Sequence, residues 1–144
     1  METSKALKIL SIQKGSVFRM ELKPTDGVTP KHLGEKSRDK YFIIVGIDKG
    51  KITVCSTLIN TEINKKLFNI IAPYQHQISA SEYEFLNGRD RYINCFRLIE
   101  LDYNRIIEEA EYIGIIKLEL LQELLSLLRK SPQIKPEQLK RFQL

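Results

Sequence analysis

The chain has 144 residues, which suits one domain able to bury its own core without a metal or disulfide staple. Hydrophobic residues make up 42% and charged residues 28%, a balance that excludes long-range disorder. The net charge of +5 favours a polyanion such as RNA or DNA, or an acidic protein, as partner. At the N-terminus, residues 1–12 show no long apolar stretch and no small-residue cleavage site, so no secretion signal is expected. Lys14 to Leu22 then alternates, with Phe18, Met20 and Leu22 on one face and Arg19 and Glu21 on the other, which predicts a half-buried strand ended by Pro24. Lys23 to Lys40 carries Pro24, Gly27, Pro30 and Gly34 and reads as a long charged loop, either functional or a solvated connection. Tyr41 to Ile47 is continuously apolar, the pattern of a central strand buried on both faces. Asp48-Lys-Gly-Lys51 predicts a hairpin turn with Gly50 at positive φ, and Ile52 to Ser56 is the return strand.

Leu58 to Lys66 reads as a loop, followed by short strands at Phe68 to Ala72 and His76 to Ser79. A helical turn near Ser81 to Glu84 and a turn at Asn87-Gly88 come next. Tyr92 to Leu101 fits one strand bent near Arg97, and Arg105 to Gly114 is ambiguous between helix and strand. Lys117 to Lys130 predicts the clearest helix, in which seven leucines (Leu118, Leu120, Leu121, Leu124, Leu125, Leu127, Leu128) cover half the circumference. That face is either ordinary core or partly a dimer contact. Residues 1–130 are read as the domain and 131–144 as a basic tail, with Pro136 to Phe142 a possible short helix.

Chemistry-bearing motifs are sparse. No P-loop, dinucleotide fingerprint, His-Glu-x-x-His, EF-hand or nucleophile elbow occurs, so no cofactor and no metal is expected. Cys55 and Cys95 lie in apolar runs, as buried thiols of a reduced, cytoplasmic protein do. No segment reaches the roughly 20 apolar residues of a membrane span. His76, in a polar Gln-His-Gln setting, reads as a surface residue. The remaining feature is Arg38 before the first hairpin strand and Ser56 and Thr57 after the second. A tight hairpin is expected to bring them to one end of the sheet, where a guanidinium fork and a hydroxyl could hold a phosphate.

The order of elements resembles the MazF/PemK toxins, the endoribonuclease halves of toxin–antitoxin pairs. Lys14-Gly-Ser-Val-Phe18 is similar to that family's opening strand, and Arg38 to Gly46 to its Arg-led second strand. Ile52 to Thr57 stands in the place of its third strand. Arg97-Leu-Ile-Glu-Leu-Asp-Tyr-Asn-Arg-Ile106 with Ile113-Gly-Ile-Ile-Lys-Leu-Glu-Leu-Leu121 resembles its last strands and helix start. The resemblance covers most of residues 14–129. It departs in the loop, which lacks the family's Glu-Gln and has no Pro after Arg38. The implied fold is mainly β with a C-terminal helix, a small SH3-like barrel of the MazF/PemK/CcdB kind. The implied activity is metal-independent cleavage of single-stranded RNA, with Arg38 stabilising developing charge and Thr57 or Ser56 positioning the phosphate. Arg19, Lys31, Lys36, Arg89 and Arg91 would contact the RNA backbone. A homodimer and an antitoxin protein are implied as partners. The alternative is a non-catalytic SH3-like barrel that binds nucleic acid or a partner protein, motivated by the altered loop.

Overall fold

The computed structural model describes residues 4–28, 32 and 34–144. Among them the strands are β1 (Ser16–Leu22), β2 (Arg38–Ile47), β3 (Thr53–Asn60), β4 (Gln75–Ile78), β5 (Arg91–Asn94), β6 (Ile99–Asp102) and β7 (Glu111–Ile115). The helices are α1 (Lys5–Ser11), α2 (Phe68–Ile71), α3 (Tyr103–Glu109), α4 (Leu118–Lys130) and α5 (Pro136–Arg141). All strand pairs are antiparallel, in the order β4-β5-β3-β2-β1-β7. β6 shares the far edge of β3 with β5, taking Thr53 to Ser56 while β5 takes Ile59 and Asn60. β4 and β7 are the two ends of this order, and the sheet does not close between them. The protein is thus mainly an antiparallel sheet with C-terminal helices.

Both faces of the sheet are covered. On one, Val17, Ile43, Val45, Cys55, Ile59 and Ile93 pack against Leu121, Leu124 and Leu128 of α4 and against Ile134 and Phe142. On the other, Phe18, Met20, Leu22, Phe42, Ile44, Val54, Leu58, Ile99 and Leu101 pack with Ile12, Val28, Ile106 and Ala110. β2 lies between the two cores, which is why its sequence is continuously apolar. The leucine helix buries a narrower stripe than its composition implies. Leu121, Leu124 and Leu128 are buried, Leu120, Leu125 and Leu127 are partly covered, and Leu118 stands in solvent.

Several elements differ from the sequence expectation. β3 runs four residues beyond Ser56, because Leu58 and Ile59 still alternate between the two cores. Positive φ in the β2–β3 turn falls on Lys51 rather than Gly50, and the Asp48 carboxylate fixes the turn by accepting from the Ile52 and Thr53 N–H groups. Residues 68–71 form a helical turn instead of a strand. The expected single strand Tyr92 to Leu101 is split into β5 and β6. The ambiguous stretch after it resolves into α3, capped by Asp102, and then β7.

The C-terminal segment is part of the fold. Phe142 and Ile134 are buried, and the Ser131 hydroxyl donates to the Phe96 carbonyl. A β-bulge at Gly46 makes room for Phe142: a Cβ there would sit 2.8 Å from the Phe142 Cβ and 2.9 Å from the Cys55 sulfur.

Candidate functional site

The register of the β2–β3 ribbon decides which expected site residues meet. Ser56 pairs with Ile44 and Thr57 with Ile43. Arg38 lies six residues before Ile44, so it stands about 20 Å along the strand from the Ser56 row. Thr57 is also on the opposite face from Arg38, since side chains alternate along a strand. Both hydroxyls are fully buried; Ser56 donates to the Ile99 carbonyl at 3.3 Å, and the Thr57 hydroxyl has no partner among the described residues. The expected grouping of Arg38 with Ser56 and Thr57 is therefore not formed. The reason is the length of β3, which ends at half-buried Asn60 and is followed by Thr61.

Arg38 has a different neighbourhood. The loop before it is anchored where it leaves β1. Arg105 forks onto Asp26 at 2.6 and 3.0 Å and also reaches Glu109 and the Glu21 carbonyl. Burial pushes the Asp26 carboxyl up, but hydrogen bonds from Arg105 and the Lys23 N–H and their charges outweigh it and hold the group below its usual range. Arg97 donates to the Gly27 carbonyl. Where the loop returns, Ser37 donates to Glu21 at 3.0 Å and Glu35 lies 3.7 Å from Arg38. Lys36 is exposed two residues before Arg38.

Arg38 and Lys40 share one face of β2. The Lys40 ammonium, almost buried, donates to Asn60 Oδ1 across the ribbon at 2.5 Å. Asn60 pairs with Tyr92 of β5, and Tyr92 with Gln77 of β4. Lys40, Asn60, Tyr92 and Gln77 thus form one polar row across four strands, with Arg38 one step beyond it. Only Arg38 of this group stands out in the sequence. The available signal is weak: Arg38-x-Lys40 has strand alternation, and Asn60 follows the apolar pair Leu58-Ile59.

The other expected contacts are scattered. Arg91 begins β5 at the same end of the sheet, but on the face opposite Arg38, with its guanidinium 5.8 Å from the Tyr41 ring centre. Arg89 is exposed just before it. Arg19 is also on the opposite face and is engaged by Asp39 at 3.2 Å and Glu111 at 3.7 Å. The Asp39 charge, then a hydrogen bond with Tyr41 and the Glu111 charge, hold the Arg19 proton more tightly than usual. Lys31 lies outside the described residues.

A second region holds His76. Its Nε2 lies 2.6 Å from Glu123 and its Nδ1 2.7 Å from the Gln77 carbonyl, so the ring bridges β4 to α4 rather than standing free on the surface. It borders a cleft of about 280 Å³ that also meets Glu82, Tyr83, Lys117 and Glu119. Cys55 and Cys95 are buried free thiols pushed up to about 12 by burial, which removes thiolate chemistry near neutral pH. Among the described residues no group of three or more His, Cys, Asp or Glu side chains could hold a metal ion, and no helix is long and apolar enough to cross a membrane. Compared with known protein families, the chain matches none. A comparison with curated proteins likewise finds no match.

Proposed function

We propose that this chain is a MazF/PemK-like, metal-independent endoribonuclease that binds single-stranded RNA at the sheet end carrying Arg38. The observation that carries the reading is the placement of Arg38, Lys36 and Lys40 together where β2 begins, beside the open end of β3. Support for the reaction comes from the resemblance in element order, including the antiparallel strands followed by a helix packed on the sheet. In this reading the sheet is the open form of an SH3-like barrel. The ribose 2′-hydroxyl gives its proton to water and attacks the adjacent phosphorus, and the 5′-oxygen of the next nucleotide leaves, taking a proton from water, so that a 2′,3′-cyclic phosphate and a 5′-hydroxyl result. Arg38 neutralises the charge that builds on the phosphate. Ser56 and Thr57 lie in the core away from that end, so the reading rests on Arg38 without them. Partners are RNA, a second copy of the chain and an acidic antitoxin that covers the basic end in the resting state.

The test is cleavage of mixed single-stranded RNA by the full chain in excess chelator. Loss of cleavage in Arg38→Ala with retained folding supports the reading; undiminished cleavage by that variant overturns the assignment of Arg38. A second reading, a non-catalytic RNA-binding module, is favoured by the burial of Ser56 and Thr57 away from Arg38. It expects salt-dependent binding and no cleavage in the same assay.

A further inference from the structure

We propose that Tyr92 and Asn60 form a base-binding platform, on which one unpaired RNA base stacks while its edge is read by the Asn60 amide. The inference rests on the RNA reading above and assigns the part of the ligand that Arg38 does not hold. Of the six tyrosines, Tyr92 alone neither packs against a core cluster nor meets another ring among the described residues. It is half-buried, and it sits directly across the ladder from Asn60, on the same face as Lys40 and Arg38. A strand aromatic normally spends its ring on a core or on a cross-strand partner. This ring does neither, so its face is available to a base.

Asn60 is oriented for the same ligand. The Lys40 ammonium can only donate, so it fixes Oδ1 of the amide and turns Nδ2 away from itself. The two Nδ2 hydrogens have no acceptor among the described residues and suit the acceptor edge of a base, such as a pyrimidine O2 or a purine N7. Directly opposed residues have Cβ atoms about 5 Å apart, so a base on Tyr92 lies within reach of Asn60. Arg38 is two residues along the same face from Lys40 and two strands from Tyr92, about 12 Å away between backbones, a span that its long side chain and a nucleotide's sugar and phosphate together can bridge. A duplex keeps its bases stacked inside and cannot use the platform, so the ligand is single-stranded.

The test measures binding of a labelled single-stranded RNA octamer and of its duplex to the full chain across a salt series. The variants are Tyr92→Phe, Tyr92→Ala and Tyr92→Leu, the last keeping apolar bulk in case alanine unfolds the protein. The expected result is single-strand affinity unchanged in Tyr92→Phe and about tenfold weaker in Tyr92→Leu, with the salt slope and duplex affinity unchanged. Salt-dependent RNA binding that Tyr92→Leu leaves intact overturns the platform alone. An equal loss in Tyr92→Phe overturns the stacking role. No RNA binding by the parent chain overturns the RNA reading together with the platform.

Discussion

The β2–β3 ribbon finishes differently at its two ends. At the turn end, polar groups are consumed by the fold. Arg141 bonds Glu100 at 3.1 Å and the Thr53 hydroxyl at 3.0 Å, lies 3.5 Å from Asp48, and covers the Phe142 ring at 4.9 Å. Phe142 beneath it is fully buried against the Gly46 bulge. At the other end, the Asn60 Nδ2 donors and the Tyr92 ring have no intramolecular use among the described residues, beside the cations Lys36, Arg38 and Lys40. A charge by itself does not mark a binding surface; Arg141 and Arg38 have equal charge. What separates them is whether nearby polar and aromatic groups have already been spent on the protein.

Four substitutions test that contrast. The largest effect is expected from Phe142→Ala, which empties a fully buried aromatic site and should cost about 3–5 kcal/mol in urea unfolding. RNA affinity per folded molecule should be unchanged. If stability is unaltered, the C-terminal segment is a dispensable tail after all.

Arg105→Ala should cost about 2 kcal/mol, because it leaves the partly buried Asp26 carboxylate without its fork. The Asp26 carboxyl is held below its ordinary value of 3.8 in the folded state. Its contribution is thus complete above pH 3.8 and fades as pH falls through the lower folded value. An acid stability titration should show this loss in the parent and less of it in Arg105→Ala. Identical titrations would exclude Asp26 as the linked group.

The smallest stability effect belongs to Arg141→Ala, about 0.5 kcal/mol for a half-exposed ion-pair network, with no change in RNA affinity. Arg38→Ala should do the reverse to binding, lowering the salt slope by about one unit. If both arginines change RNA affinity equally, the two ends are not functionally distinct.

Much of the architecture was legible from local pattern. The double-faced burial of Tyr41 to Ile47 and the helix from about Lys117 follow from hydrophobic periodicity, which each segment carries within itself. Local pattern does not decide segments that suit more than one short-range structure. Residues 68–71 are apolar enough for a strand, but become a helical turn between β3 and β4. The site was legible only as far as Arg38. Its expected partners require the return strand to end at Ser56, whereas β3 continues through Asn60 and holds both hydroxyls in the core.

The amino-acid sequence alone determined the β-rich class, the central buried strand, the leucine helix and the basic charge, because these are properties of neighbouring residues and of composition. Tertiary structure decided which polar side chains face each other. Register joins residues far apart in the chain, and a one-residue slip moves every side chain to the other face. Lys40, Asn60 and Tyr92 meet only through two strand pairings, and Phe142 reaches Gly46 only after the whole chain has returned to the sheet.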